Sequence, residues 1–319
     1  MNKEKVLILG KTPLPIGGVT VHVDRLLFHL KQNNILFDFV ELIPSNFFSI
    51  LKFFFAAKSV HLHTSNVYIR FIFSFLCKCF SKRFDYTLHG DLNRYKSKFK
   101  NYLDFLTIKF SYRPILLNSK SYFKALSINS NAELISSFLP PNLDNEVLDY
   151  QIFSTIVDLK ARFFRVFCTN AFNLAYDKDS VEIYGIFDLI DSFVVLPDFL
   201  LVVSDPSGAY SRYINENNIA IGNNVYFISV PHSFYRVIEL SDVCIRNTST
   251  DGDSLSVKES LYLNKFTFCT DVVSRPVGCI LYSRGSFLEL VIGFDFTNRI
   301  RVDTTKLFEI QKIIQIYTI

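Results

Sequence analysis

Short apolar runs recur along this chain with room for a helix between successive runs. Lys5-Val-Leu-Ile-Leu-Gly10, Phe37 to Leu42, Val60 to His63, Tyr86 to His89 and Pro114 to Leu117 form a first set. Phe164 to Cys168, Phe199 to Val203, Val225 to Ile228, Val243 to Ile245 and Phe266 to Phe268 form a second. Helical patterns such as Val19 to Leu30 and Ile186 to Phe193 lie between them. Strands alternating with helices imply a parallel sheet covered by helices on both faces. The rhythm breaks at Phe138-Leu-Pro-Pro-Asn142, where consecutive prolines stiffen the chain, and the acidic stretch Asp144 to Asp149 that follows is no obvious strand. The expected fold is therefore α/β, with two doubly wound Rossmann-like domains at residues 1–145 and 160–300. Helical spacing from Lys306 to Ile316 predicts a last helix within 305–319 that packs back on the first domain.

The chain has 319 residues, 49% apolar and 20% charged, enough for two globular domains and unlike a disordered chain. Six cysteines are scattered, and Cys77-Lys-Cys79 is too tight for a structural zinc knuckle. With no signal peptide visible, reduced thiols and a cytoplasmic location are the expectation. No run reaches the roughly 18 apolar residues of a spanning helix. Phe47 to Ala57 and Ile69 to Phe80 are strongly apolar and are predicted as two helices buried against a sheet, the alternative being contact with a bilayer surface.

Charge is uneven. Residues 1–150 hold 19 Lys and Arg against 11 Asp and Glu, whereas the rest of the chain is net acidic. Most of the excess lies between Lys78 and Lys124, where Arg94, Lys96, Lys98 and Lys100 alternate with Tyr95, Ser97 and Phe99. This segment is a solvated face or a surface drawn to anionic lipid. No nucleic-acid motif accompanies the charge, so nucleic acid is not an expected partner.

In open parallel sheets, ligands sit beyond the carboxyl ends of the strands. His61, His63, Thr64, Ser65, His89, Gly90 and Asp91 fall at such ends. Gly17 and Gly18 close a loop after the first strand. That loop lacks the dinucleotide fingerprint, and Gly10-Lys-Thr12 matches only part of a P-loop.

The most informative stretch is Thr248-Ser-Thr-Asp251-Gly252-Asp253-Ser254-Leu255-Ser-Val-Lys258-Glu259-Ser260. It reads as an acidic turn entering a helix, flanked by Val243 to Ile245 and Phe266 to Cys269. Asp251 and Glu259 are separated by seven residues. Three functions compete for it. Asp253 or Ser254 can cap a helix, and Ser256-Val-Lys-Glu259 matches a capping box. Asp251 and Asp253 can hold a divalent cation. The turn amides and helix dipole can hold a phosphate while carboxylates take sugar hydroxyls.

The layout of two such halves, the Gly-Gly loop, and the stretch from Arg246 to Leu263 followed by Asp271-Val-Val-Ser-Arg275-Pro276-Val-Gly278 resemble the retaining glycosyltransferases of family four. Within it, the chain looks like the bacterial subgroup that builds surface polysaccharides such as O-antigen lipopolysaccharide and capsule. The resemblance implies the GT-B fold, two domains facing a cleft, with a nucleotide-sugar donor in the second. By that resemblance, Glu259 bonds the ribose hydroxyls. Asp251 and the turn Gly252, Asp253, Ser254 and Leu255 hold the sugar and diphosphate, Gly17 and Gly18 approach the diphosphate, and His89 faces the transferred sugar. The resemblance also implies a lipid-linked saccharide acceptor and no metal or other cofactor. The cation excess between Lys78 and Lys124 beside aromatics leads to the expectation that this region contacts the inner face of the plasma membrane peripherally.

The chain departs from the family pattern in two places. The first acid is Asp251 rather than Glu. Where the family carries an Arg and a Lys for the diphosphate, this sequence has Asn173 and Tyr184, with Lys178 as a possible substitute. A partner subunit without turnover, or a metal-dependent transferase of the other common fold using Asp251 and Asp253, are the alternative expectations.

Overall fold

A computed structural model describes residues 5–177, 179–298 and 301–318. The chain divides into two units, one ending at Pro140 and resuming at Phe308, the other running from Pro141 to Leu307. The sequence placed this boundary slightly later, at residue 145.

In the first unit the strands are β1 (Val6–Gly10), β2 (Phe37–Glu41), β3 (Ser59–His63), β4 (Arg83–Leu88), β5 (Arg113–Leu116) and β6 (Glu133–Leu134). The helices are α1 (Gly18–Gln32), α2 (Phe47–Ala56), α3 (Val67–Cys79), α4 (Lys98–Phe110) and α5 (Ser119–Leu126). All pairings are parallel, in the order β2-β1-β3-β4-β5-β6. Apolar residues cover both faces of this sheet, Leu7, Leu9 and Leu62 on one, Val6, Ile8 and Ile115 on the other.

The second unit has α6 (Tyr150–Lys160), β7 (Arg165–Asn170), α7 (Ile186–Val194), β8 (Phe199–Ser204), α8 (Ala209–Glu216) and β9 (Val225–Ile228). It continues with α9 (Phe234–Leu240), β10 (Val243–Arg246), α10 (Leu255–Tyr262), β11 (Phe266–Thr270), β12 (Ile280–Tyr282) and α11 (Phe287–Gly293). Its parallel order is β12-β11-β10-β7-β8-β9. From β7 the chain winds outward through β8 and β9, then returns to place β10 on the other side. The carboxyl ends of β7 and β10 therefore flank a topological switch point, where such sheets bind ligands.

The last helix, α12 (Ile310–Tyr317), belongs to the first unit. Ile313, Ile316 and Tyr317 pack with Leu26, Leu30 and Ile135, and the Tyr317 hydroxyl meets His61 Nδ1.

Two predicted buried helices differ from expectation. α2 and α3 form, but α2 buries only Phe54. The inward face of α3 carries Arg70 and Ser74, because Arg70 pairs there with Asp104 of α4 and both are nearly solvent-free. Tyr68, Ile72 and Phe75 consequently point outward, recurring at the spacing of one helix stripe. Among the described residues, no helix is long and apolar enough to cross a membrane.

Candidate functional site

Arg246 ends β10 at the switch point of the second unit. Its Nε and Nη2 donate to the two carboxylate oxygens of Asp251, at 2.9 Å each, a bidentate pair across five residues. Its Nη1 donates to Asn170 Oδ1 at the end of β7, 3.4 Å away, and its guanidinium lies 5.5 Å from the centre of the Tyr184 ring. Arg275 reaches in from the segment after β11. Its Nη1 donates to Asp251 Oδ2 at 2.6 Å, and its Nε to the Thr270 carbonyl at 3.1 Å. The Gly252 amide donates to Asp251 Oδ1 at 3.1 Å.

Four donors thus meet Asp251, about the number of lone-pair sites on a carboxylate. Where a sugar-holding role was expected of Asp251, its carboxylate is engaged by protein groups and positions two arginines. Burial alone would raise its pKa, but the Arg246 and Arg275 charges outweigh that and hold it below the ordinary carboxylate value. Two cations against one anion leave the cluster with a net positive charge. A solvent-poor cation at the carboxyl ends of β7 and β10 suits an anionic ligand.

The backbone around this cluster is braced. Asn247 Nδ2 donates to the Gly185 carbonyl and Asn247 Oδ1 accepts from the Tyr282 hydroxyl, both at 2.9 Å. Gly185 sits at φ +61°, and a Cβ there would lie 2.4 Å from the Asn247 carbonyl oxygen, so only glycine closes this turn.

α10 begins just beyond. Ser254 is its N-cap, but its side chain makes no capping bond, so the capping function that competes for this stretch is not realised through Ser254. Leu255 is the first helical residue. Asp253 is paired with Lys258, whose Nζ is 2.6 Å from Oδ2. With Asp251 held by two arginines and Asp253 by a lysine, the pair does not present a cation site of its own. Gly252 sits at the open surface of the turn, where a Cβ would meet nothing within 4 Å. Glu259 is buried one turn into α10, which packs between β10 and β11.

Other expected residues lie elsewhere. Asn173 is exposed, and its side chain accepts only from the adjacent Leu174 amide among its described bonds. Lys178 lies outside the described residues. Gly17, in extended backbone, and Gly18 start α1 in the first unit. There the Gly17 amide donates to Thr20 Oγ1 at 3.1 Å. His89 follows β4 and meets His63, with Nε2 3.3 Å from His63 Nδ1. Asp91 accepts from Asn118 Nδ2 at 3.0 Å and braces its own loop. The residues that sequence reasoning quoted but gave no part are Arg246 and Arg275. Both are cations, whereas Asn173 and Tyr184 carry no positive charge.

No protein-family model matches this chain, and no curated protein matches it in sequence. Solved structures match in shape. Sucrose-phosphate synthase from Thermosynechococcus elongatus superposes with a TM-score of 0.70 at 13% identity, over 98% of this chain and 97% of that one. HepE of Anabaena in complex with UDP-glucose gives 0.69 at 13% identity, over 98% of both chains. The UDP-GlcNAc 2-epimerase of Neisseria meningitidis bound to UDP-GlcNAc gives 0.60 at 13% identity, over 98% of this chain and 99% of that one. The chain thus has the GT-B arrangement of two parallel, doubly wound Rossmann-like domains.

Proposed function

We propose that this protein is a retaining glycosyltransferase that moves a sugar from a nucleotide-sugar donor to a lipid-linked oligosaccharide in bacterial surface-polysaccharide synthesis. The observation that carries this is the Arg246–Asp251–Arg275 cluster at the switch point of the second unit. It offers fixed positive charge for a diphosphate beside a helix start whose amides favour anions. The fold is one in which similar proteins are seen with UDP-glucose and UDP-GlcNAc.

In this account Arg246 and Arg275 stabilise the negative charge that grows on the diphosphate as the glycosidic bond breaks. The acceptor hydroxyl attacks from the face the diphosphate leaves, and a leaving phosphate oxygen takes its proton. Configuration is thereby retained. Glu259 binds the ribose hydroxyls. No metal takes part, because arginines neutralise the leaving group. The missing Arg and Lys at Asn173 and Tyr184 motivated a partner subunit without turnover, and the two arginines at the switch point remove that motive. Transfer is tested with a panel of nucleotide sugars and a lipid-linked acceptor. Labelled glycolipid is the expected product, and conversion of the donor to its epimer without transfer would replace this reading with an epimerase.

A lipid acceptor implies work at a membrane surface, on the cytoplasmic side where nucleotide sugars are made. Support comes from α2, α3 and α4. Phe54 and Phe73 join α2 to α3 with ring centres 6.1 Å apart, and Arg70 joins α3 to α4. Phe48, Phe55, Ile72, Phe75 and Tyr102 are exposed along these helices, as are Lys52, Lys78, Lys98 and Lys109. The single acid in the three helices, Asp104, is buried against Arg70. Aromatic residues among unopposed lysines fit an anionic bilayer, at about 1 kcal/mol per cation near the surface. Sedimentation with vesicles tests this. Binding should be stronger to anionic than to neutral vesicles, should weaken at 0.5 M salt, and should fall when Arg94, Lys96, Lys98 and Lys100 are neutralised together. Equal binding to both vesicle types, indifferent to salt, would mark the segment as a solvated face.

A further inference from the structure

The first unit gathers three histidines from separate elements. His22 lies on the buried face of α1, His63 ends β3, and His89 follows β4. β3 and β4 are hydrogen-bonded neighbours with His63 opposite Thr87, so both rings emerge at the carboxyl edge of the sheet. One ligand nitrogen from each of the three lies within 4.8 Å of the other two. His63 Nδ1 and His89 Nε2 are 3.3 Å apart. Two nitrogens bound to one tetrahedral zinc at about 2.0–2.1 Å are themselves about 3.3–3.4 Å apart. That pair already has the separation a shared ion imposes.

The surroundings fit ligation as well. His22 Nδ1 is 2.7 Å from the Ser137 carbonyl oxygen. A carbonyl only accepts, so Nδ1 carries the proton and, in the neutral ring, the lone pair is on Nε2. A metal-bound histidine generally donates its second N–H to such a carbonyl. His63 is 2% exposed, so its ring is shielded from bulk water. His61 is the contrast, with Nδ1 on the Tyr317 hydroxyl and Nε2 3.0 Å from the Thr87 hydroxyl. Both its nitrogens are used within the fold. Burial also drives the pKa of His63 and His89 well below the ordinary histidine value, favouring the neutral ring that binds metals.

We propose that His22, His63 and His89 form a three-histidine site for a divalent first-row transition ion such as Zn2+, with one position left to water or another oxygen ligand. Imidazole donors without a carboxylate suit zinc, nickel or copper and disfavour magnesium and calcium. The site is independent of the transferase proposal. The sequence carried the expectation of no metal anywhere in the protein, and this site departs from it.

Chelator-stripped full-length protein should be titrated with Zn2+ alone by calorimetry, and with Co2+ alone by visible absorption. One ion per chain is expected, together with the intense bands of a tetrahedral Co2+ centre. His22→Gln and His63→Gln should each weaken binding by at least about 100-fold, since even changes to outer-shell partners cost 10–100-fold. His61→Gln should leave binding unchanged. X-ray absorption of the Zn2+ form should read three imidazole nitrogens and needs no variant, so a misfolded variant does not shield the proposal. No saturable uptake of either ion would overturn it, as would uptake undiminished in a folded His22→Gln/His63→Gln double variant.

Discussion

Asp251→Ala should destabilise the protein by about 3–5 kcal/mol, the usual cost of leaving buried charges without their partner. The side chains of Arg246 and Arg275 are 12% and 2% exposed, so water does little to compensate them. Asp251→Asn should recover part of the loss, because its amide oxygen still accepts one guanidinium bond. Denaturant unfolding of the second unit measures both. The wild type should behave consistently with pH. A carboxyl whose pKa is depressed on folding contributes its full stability above its unfolded value, about 3.9, and loses it as pH falls through the folded value. A loss below about 1 kcal/mol in Asp251→Ala would show a carboxylate that is solvated and available to a sugar, the role first expected of it.

Glu259→Ala should lower donor affinity by at least about tenfold while leaving the fold in place. Two hydrogen bonds from ribose hydroxyls to a carboxylate are worth roughly 1.5–3 kcal/mol each, so tenfold is a low bound. Glu259 is buried on α10, which makes its size matter. Glu259→Gln keeps that size and should lose less affinity than alanine. Calorimetry gives the affinity and circular dichroism the fold. Donor affinity unchanged in a folded Glu259→Ala would remove Glu259 from the ribose, and unfolding in both variants would make it a structural residue.

Much of the architecture could be read from the chain because a parallel sheet needs apolar strands and the covering helices need their own period. The predicted start of Val243 and the observed start of β10 coincide. Expected Val19 to Leu30 became α1, Gly18–Gln32. β6 and β12 escaped notice because two- and three-residue strands carry no pattern. The exposure of α3 escaped for a different reason. An apolar helix is assumed to be buried, and only the partner of Arg70, thirty-four residues away on α4, shows which face turns inward. The arginine cluster was hidden in the same way. Arg246 ends a strand, Asp251 sits in a turn and Arg275 follows another strand, so no helical or strand period links them. His63 and His89 were legible as strand-end residues. His22 was not, since on α1 it shares a buried face with Val23, Leu26 and Leu30 and looks like part of an apolar helix pattern.

The central claim is that the second unit binds a nucleotide sugar at its switch point through Arg246 and Arg275. Calorimetry of the intact protein against UDP-, GDP- and ADP-sugars tests it most directly, with Arg275→Gln as the companion variant. The account predicts saturable binding of one donor class, weakened at least about tenfold when the positive charge of Arg275 beside the diphosphate is removed. Folded protein that binds none of these donors, or binds one equally well without Arg275, would contradict it.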